Sequence, residues 1–255
     1  MMKKIKALLF IFLFVSIGSV SMIAQEMDPE AGKLYNEGNK LLKAGNYDGA
    51  LQQYNQALNI EKDYRIYYQR GIALKNLGNL EEAKNSFEEC LKLKSDFEGG
   101  YNALGGVFFS MGNYQAAINN FEKVLEFSKN NSVKNKVKKN LSLAYTKLGA
   151  EAESNGNSES AIQNYKKGAE INNYDAAYLS LAKLYTDLGN WDAAIDAAEN
   201  ALKYRSSISK GGPYYYMGLA YKGKGDSAKA KEMFTQARSD ATYRKTAEYE
   251  LSLLQ

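Results

Sequence analysis

The dipeptide Gly-Asn returns along this chain at Gly45-Asn46, Gly78-Asn79, Gly112-Asn113, Gly156-Asn157 and Gly189-Asn190, and once more as Gly225-Asp226. The spacings are 33, 34, 44, 33 and 36 residues. Other residues keep step. Five positions after each Gly stands an alanine: Ala50, Ala83, Ala117, Ala161, Ala194 and Ala230. Four further on are Tyr54, Phe87, Phe121, Tyr165, Ala198 and Phe234, and three beyond those are Ala57, Cys90, Val124, Gly168, Ala201 and Ala237. Seven positions before each Gly lie Gly38, Gly71, Gly105, Gly149, Ala182 and Gly218. A unit of this size cannot bury its apolar face alone, so six in phase must stack and share one continuous core.

The slots have physical reasons. Gly-Asn suits a helix C-terminus, because both residues tolerate positive φ. Gly or Ala on a first helix and Ala on a second let the pair cross closely. The aromatic four residues after each Ala lies on the same helix face and is expected to fill the space between units. Cys90 occupies an alanine-like slot and reads as a buried small hydrophobe, not a reactive thiol, with Glu88 and Glu89 beside it.

The register resembles the tetratricopeptide repeat, a helix–turn–helix unit of 34 residues. The resemblance covers residues 31 to about 244. Two features depart from the family pattern. The Trp slot of the first helix holds Tyr67, Tyr101, Tyr145, Tyr178 and Tyr214, with Leu34 in the first unit. The late Pro is replaced by Lys62, Ser95, Lys129, Asn173, Ser206 and Thr242. The resemblance implies an all-α, right-handed α-solenoid of six repeats, over 31–63, 64–97, 98–131, 132–174, 175–210 and 211–244. A short linker is expected at 25–30. A capping helix is expected over 243–255, with Ala247, Leu251 and Leu254 at helical spacing. The long third interval, near 128–140, reads as a polar turn plus an extension of the fourth repeat's first helix. Ser206 to Pro213, with Gly211-Gly212-Pro213, reads as a loop.

By the same resemblance, first helices line a concave groove that binds a partner protein or peptide. Its expected residues are Tyr35, Asn39, Arg65, Tyr68, Gln69, Lys75, Asn102, Phe109, Lys183, Tyr215, Tyr216 and Lys222, with Ile72, Thr146, Glu153, Leu179 and Leu219 alongside. Eleven of the twenty tyrosines fall in repeat-core slots; Tyr35, Tyr68, Tyr215 and Tyr216 map to the groove, where aromatics can anchor a partner or cover neighbouring repeats. The carboxylate clamp of chaperone-binding members does not carry over. Asn39 sits suitably, but Tyr35 stands where Lys is expected, and Gly99 and Ala103 replace cations in the third repeat.

Composition narrows function further. With no histidine and one cysteine, the chain has no Ser/His/Asp triad, no Cys/His pair, no imidazole ligand and no thiolate cluster. Neither an enzyme, a cofactor nor a metal is expected. Gly223-Lys224-Gly225-Asp226-Ser227 lacks the spacing and the preceding strand of a phosphate loop.

Residues 1–24 have a basic start (Lys3, Lys4, Lys6), an apolar run from Leu8 to Val15, and small residues leading to Ala24. This describes a secretory signal peptide cut after Ala24, with no nearby Cys for a lipoprotein anchor. The expected location is the periplasm or cell envelope. The uncharged stretch nearly reaches transmembrane length, so a retained anchor is the alternative. Of 33 basic and 29 acidic residues, this segment holds three lysines and no acid. The remainder is therefore close to neutral, which disfavours nucleic acid as a partner. Lys129, Lys134, Lys136, Lys138, Lys139 and Lys147 lie between Glu126 and Glu151 with no acid among them. They form either a docking patch for an acidic partner or peripheral membrane, or a solvated helix extension. Oligomeric state is not legible.

Overall fold

The computed structural model describes residues 26–254. The expected signal segment lies outside them. Among the described residues there are thirteen helices and no strand. Six antiparallel pairs follow one another: α1 (Pro29–Lys43) with α2 (Tyr47–Ile60), α3 (Tyr64–Asn76) with α4 (Leu80–Leu93), and α5 (Glu98–Ser110) with α6 (Tyr114–Phe127). Then come α7 (Asn131–Ser154) with α8 (Ser158–Asn172), α9 (Asp175–Asp187) with α10 (Trp191–Lys203), and α11 (Gly211–Gly223) with α12 (Ser227–Ala237). The last helix, α13 (Arg244–Leu253), packs on α12. Each helix packs on its neighbours in sequence, so the chain is an α-solenoid.

The Gly-Asn signal resolves into two separate jobs. Only the glycine takes positive φ, between 71° and 83° at Gly45, Gly78, Gly112, Gly156, Gly189 and Gly225. The N–H of each following residue bonds back into the ended helix, as Asn46 does to Leu41 at 2.9 Å. That residue keeps negative φ and is the N-cap of the next helix. Asn46, Asn113, Asn157 and Asp226 accept from the N–H of Gly49, Ala116, Ser160 and Lys229. The tolerance of both residues for positive φ is thus used only at the glycine: one dipeptide stops one helix and starts another.

The aromatic slot is also reassigned. Each ring sits on the first-helix glycine of its own repeat, where a Cβ would lie 2.5–2.7 Å from ring carbons: Gly38 under Tyr54, Gly71 under Phe87, Gly105 under Phe121, Gly149 under Tyr165 and Gly218 under Phe234. The fifth repeat has Ala182 and Ala198 in these slots, both fully buried. The aromatic ring therefore closes the pair within a repeat. Smaller apolar residues such as Ile66, Val107 and Val137 bury against the neighbouring repeat.

Three further expectations are adjusted. Helix α1 begins at Pro29, inside the expected linker, because Asp28 caps the N–H groups of Glu30 and Ala31 and Pro29 fits the first turn. Gly211, Gly212 and Pro213 are not loop. They are the buried first turn of α11, where a Cβ on Gly211 would strike Asp240 and one on Gly212 would strike Leu179 and the Tyr243 hydroxyl. Pro213 is tolerated there because first-turn N–H groups have no partner within the helix. The intervening loop is held by Asp175, whose carboxylate accepts from the N–H of Ser206, Ser207 and Ile208 at 2.6, 2.6 and 3.1 Å and from Ser207 Oγ at 2.6 Å.

Helix α7 is 24 residues long, whereas the other first helices have 13 to 15. Asn130 caps its start by accepting from Ser132 and Val133, and Val133, Val137 and Leu141 pack its first turns onto α6. At 1.5 Å per residue, the ten extra residues lengthen it by about 15 Å. First helices meet most closely at α9/α11, lightly at α1/α3, α3/α5 and α7/α9, and least at α5/α7.

Candidate functional site

The face formed by the first helices carries the expected groove residues, and the structure sorts them into three groups. At the N-terminal end, Tyr35 lies 6.2 Å from the Tyr54 ring, and Asn39 Oδ1 accepts the Tyr54 hydroxyl at 2.8 Å. Asn39 is thereby committed to holding a core ring. Arg65 folds back on Asp63, the N-cap of α3, with contacts of 2.6 and 2.9 Å. Tyr68 packs edge-on against Phe97 at 5.1 Å and against Phe87 at 5.8 Å, and burial raises its hydroxyl pKa. These side chains are half-buried and spend their contacts on their own repeat; Gln69 is half-buried beside them.

At the C-terminal end the face is closed. Tyr215 and Tyr216 are half-buried against Tyr243, at 5.4 and 6.4 Å between rings, where the chain turns into α13. Lys222 pairs with Glu250 of α13 at 2.6 Å. Lys183 pairs with Glu153 at 2.5 Å, and the Tyr165 hydroxyl donates to the same carboxylate at 2.7 Å. Burial raises the Glu153 carboxyl, but Lys183 and Tyr165 outweigh it and hold its pKa below the ordinary value. These residues tie α7 to α9 and α11 to α13, and their charges are matched.

The middle differs. A cavity of about 260 Å³ opens between α3, α5 and α7, lined by Lys75, Gly106, Phe109, Ser110, Phe121, Asn140 and Leu143. Two expected residues, Lys75 and Phe109, meet here, with exposed Asn102 one helical turn before Gly106 on α5. Lys75 Nζ reaches across so that a Cβ on Gly106 would lie 3.3 Å from it. Among the described residues no carboxylate pairs with Lys75.

Gly106, Ser110, Asn140 and Leu143 were not among the expected groove residues. Gly106 offers no side chain to notice, yet its bareness makes the cavity. Asn140 falls at the end of the extension, and Leu143 follows it in the first turn of the regular repeat helix. Repeat register pairs the level of Phe109 with Glu153, but the extra length of α7 sets Asn140 and Leu143 there instead. A helical-face reading of 131–147, beside the charge count, would have found them.

The six patch lysines also divide. At 100° per residue, Lys136, Asn140, Leu143 and Lys147 share one stripe of α7, spaced by four, three and four residues. Since Asn140 and Leu143 line the cavity, Lys136 and Lys147 flank it along the same stripe. Lys134 and Lys138 point elsewhere on α7, Lys139 lies at the stripe's edge toward α9, and Lys129 precedes the helix. None of the six is in an ion pair among the described residues. Cys90 is fully buried, and burial pushes its thiol up to about 12, which keeps it protonated.

Comparison with known proteins agrees with this architecture. Family models described as tetratricopeptide or TPR repeats match residues 38–78, 64–97, 99–131, 146–211 and 214–241. The chain is similar to an Hsp70-Hsp90 organizing protein of Triticum aestivum, 32% identical over 106 residues, or 41% of this chain and 18% of the relative. The match thus spans less than a fifth of that relative's length. Among solved structures, a MamA RS-1 double mutant aligns with TM-score 0.52 at 22% identity, covering 70% of this chain and 96% of that one. YrrB, a TPR protein with an unusual peptide-binding site, aligns with TM-score 0.51 at 20% identity, covering 77% and 96%. These two likenesses show the fold.

Proposed function

We propose, from the premise that this chain belongs to the tetratricopeptide repeat family, that it is a non-enzymatic scaffold holding a partner protein or peptide on its first-helix face. The observation that carries this reading is the open middle of that face. Toward the ends of the face, Arg65, Lys183 and Lys222 meet carboxylates and Tyr215 and Tyr216 are covered by Tyr243, whereas the cavity at Lys75, Phe109, Asn140 and Leu143 leaves polar and apolar groups unmatched. Protein surfaces that bind partners combine an apolar pocket with a polar rim in this way. Similarity to a protein named for organizing Hsp70 and Hsp90 is in keeping with a scaffolding role.

A photo-crosslinking residue at Asn102 or Gln69 tests this in cells. Both positions are on first helices and not deeply buried, whereas Asn85 and Asn119 are exposed on second helices. Covalent capture of the same partner is expected from Asn102 and Gln69 and not from Asn85 or Asn119. Equal or stronger capture from the second-helix positions would move the interface to the other face.

The scaffold is further proposed to work outside the cytoplasm, in the periplasm or envelope, which is supported by the basic, apolar and small-residue order of residues 1–24. Intact-mass measurement should give a chain starting at Gln25 in the soluble extract. A full-length chain confined to the membrane fraction would instead establish the tethered alternative.

A further inference from the structure

We infer that the middle of the first-helix face is built for an extended acidic segment of the partner. Carboxylate side chains would lie on Lys75, Lys136 and Lys147, and an apolar side chain would enter the cavity between Phe109 and Leu143. This rests on the groove reading above and specifies its ligand.

Three independent observations support it. The first is charge. Lys75, Lys136 and Lys147 are exposed and unpaired among the described residues, and the sequence from Phe127 to Ala150 contains no acid. Elsewhere on the same face, Lys183 and Lys222 do find carboxylates, Glu153 and Glu250. A solvating lysine run has no reason to align two members with a cavity wall, yet Lys136 and Lys147 share the stripe of Asn140 and Leu143.

The second is shape. The gap lies where α5 and α7 face each other, with Phe109 and Ser110 on one side and Asn140 and Leu143 on the other, and Gly106 presents bare backbone beneath the Lys75 ammonium. The cavity, about 260 Å³, takes a side chain or two and not a folded domain. The third is chemistry. Phe109 and Leu143 give an apolar wall, while Ser110 and Asn140 place short polar groups at the rim. A polyphosphate chain would leave that wall unused, so an acidic peptide with interspersed apolar residues fits better than nucleic acid.

The test uses the purified protein and a fluorescent 15-residue peptide alternating Glu or Asp with Leu or Phe. Its C-terminus is amidated, so that only side-chain carboxylates contribute. A counterpart carries Gln and Asn instead, and an oligothymidylate of equal charge is the third probe. The acidic peptide should bind about tenfold or more tightly than its neutral counterpart, and more weakly as salt is raised. Lys75→Glu and Lys147→Glu should each weaken it about fivefold to tenfold, with unchanged melting temperature because both side chains are exposed and unpaired. A second route is Gly106→Glu, which sets a carboxylate within reach of Lys75 and should compete with the peptide.

Absence of acidic-peptide binding, equal binding of the neutral peptide, indifference to the lysine reversals, or equally tight oligothymidylate would each overturn the inference. Failure of the groove reading is separately visible. If both peptides bind equally and crosslink to position 102, the groove stands and only the acidic preference falls. If peptide binds but crosslinks only from second-helix positions, both fall.

Discussion

Phe87→Ala should destabilise the chain by about 3–5 kcal/mol, the range for deleting a fully buried aromatic ring. Gly71→Ala should also destabilise, by about 1–3 kcal/mol, because its Cβ would land 2.5 Å from a Phe87 ring carbon in a crossing that has no slack. The informative result is the double variant. The fifth repeat already builds this crossing from Ala182 and Ala198, both fully buried, so two alanines form a known solution to the same geometry. Gly71→Ala with Phe87→Ala should therefore cost less than the two single changes together, with a coupling of about 1 kcal/mol or more. Urea unfolding followed by circular dichroism measures all three. Strict additivity would mean that the ring and the glycine are not partners.

A comparable loss is expected at Asp175. Its carboxylate is fully buried and accepts three backbone N–H groups and a serine hydroxyl from the loop between α10 and α11. It also stands at the first residue of α9, where the helix dipole favours an anion. Asp175→Ala should cost about 2–4 kcal/mol, since it strips a charged acceptor from several donors at once. Asp175→Asn should recover part of this by keeping one acceptor oxygen. Proteolysis should cut first near Ser206 in either variant, because the loop has lost its tether.

The pH dependence has a definite sign. Burial raises the Asp175 carboxyl, but the Ser207 hydroxyl and the N–H groups of Ser206, Ser207 and Ile208 outweigh it and hold the pKa at about 2. The folded value lies below the unfolded one, near 3.8. The stabilisation is thus complete above the unfolded value and is lost as pH falls from about 4 through about 2. The wild-type chain should lose stability over that window more steeply than Asp175→Asn. Matching acid titrations would show that the carboxylate is not the cause.

Much of the architecture was legible because its rules are local. A glycine at positive φ, an N-cap one residue later and a small residue opposite a ring all act within one helix pair. They therefore recur at fixed spacing, and repeat number and helix order follow from the text of the chain. Even there, the role of Asn and the seat of the ring are set by the three-dimensional packing. Gly-Asn looks the same in sequence whether one or both residues have positive φ. A ring on Gly71 looks the same as a ring between repeats.

The candidate site was legible only in pieces. Lys75 and Phe109 stood out by their place in the repeat, and Lys136 and Lys147 by their charge, but nothing in the spacing joined the two sets. Joining them required the rise of α7. Its ten extra residues shift it by nearly three helical turns against α5, so the side chains opposite Phe109 are not the ones the repeat register would place there. Tyr215 and Tyr216 went the other way. They occupy groove positions by register, and α13 folds back to cover them through Tyr243. The amino-acid sequence by itself determined that this is a six-repeat helical stack with a capped end, because those features rest on short-range geometry. Which side chains of the shared face stay open to a partner was decided only by the tertiary structure. That depends on how far each helix slides past the next and which charges thereby meet.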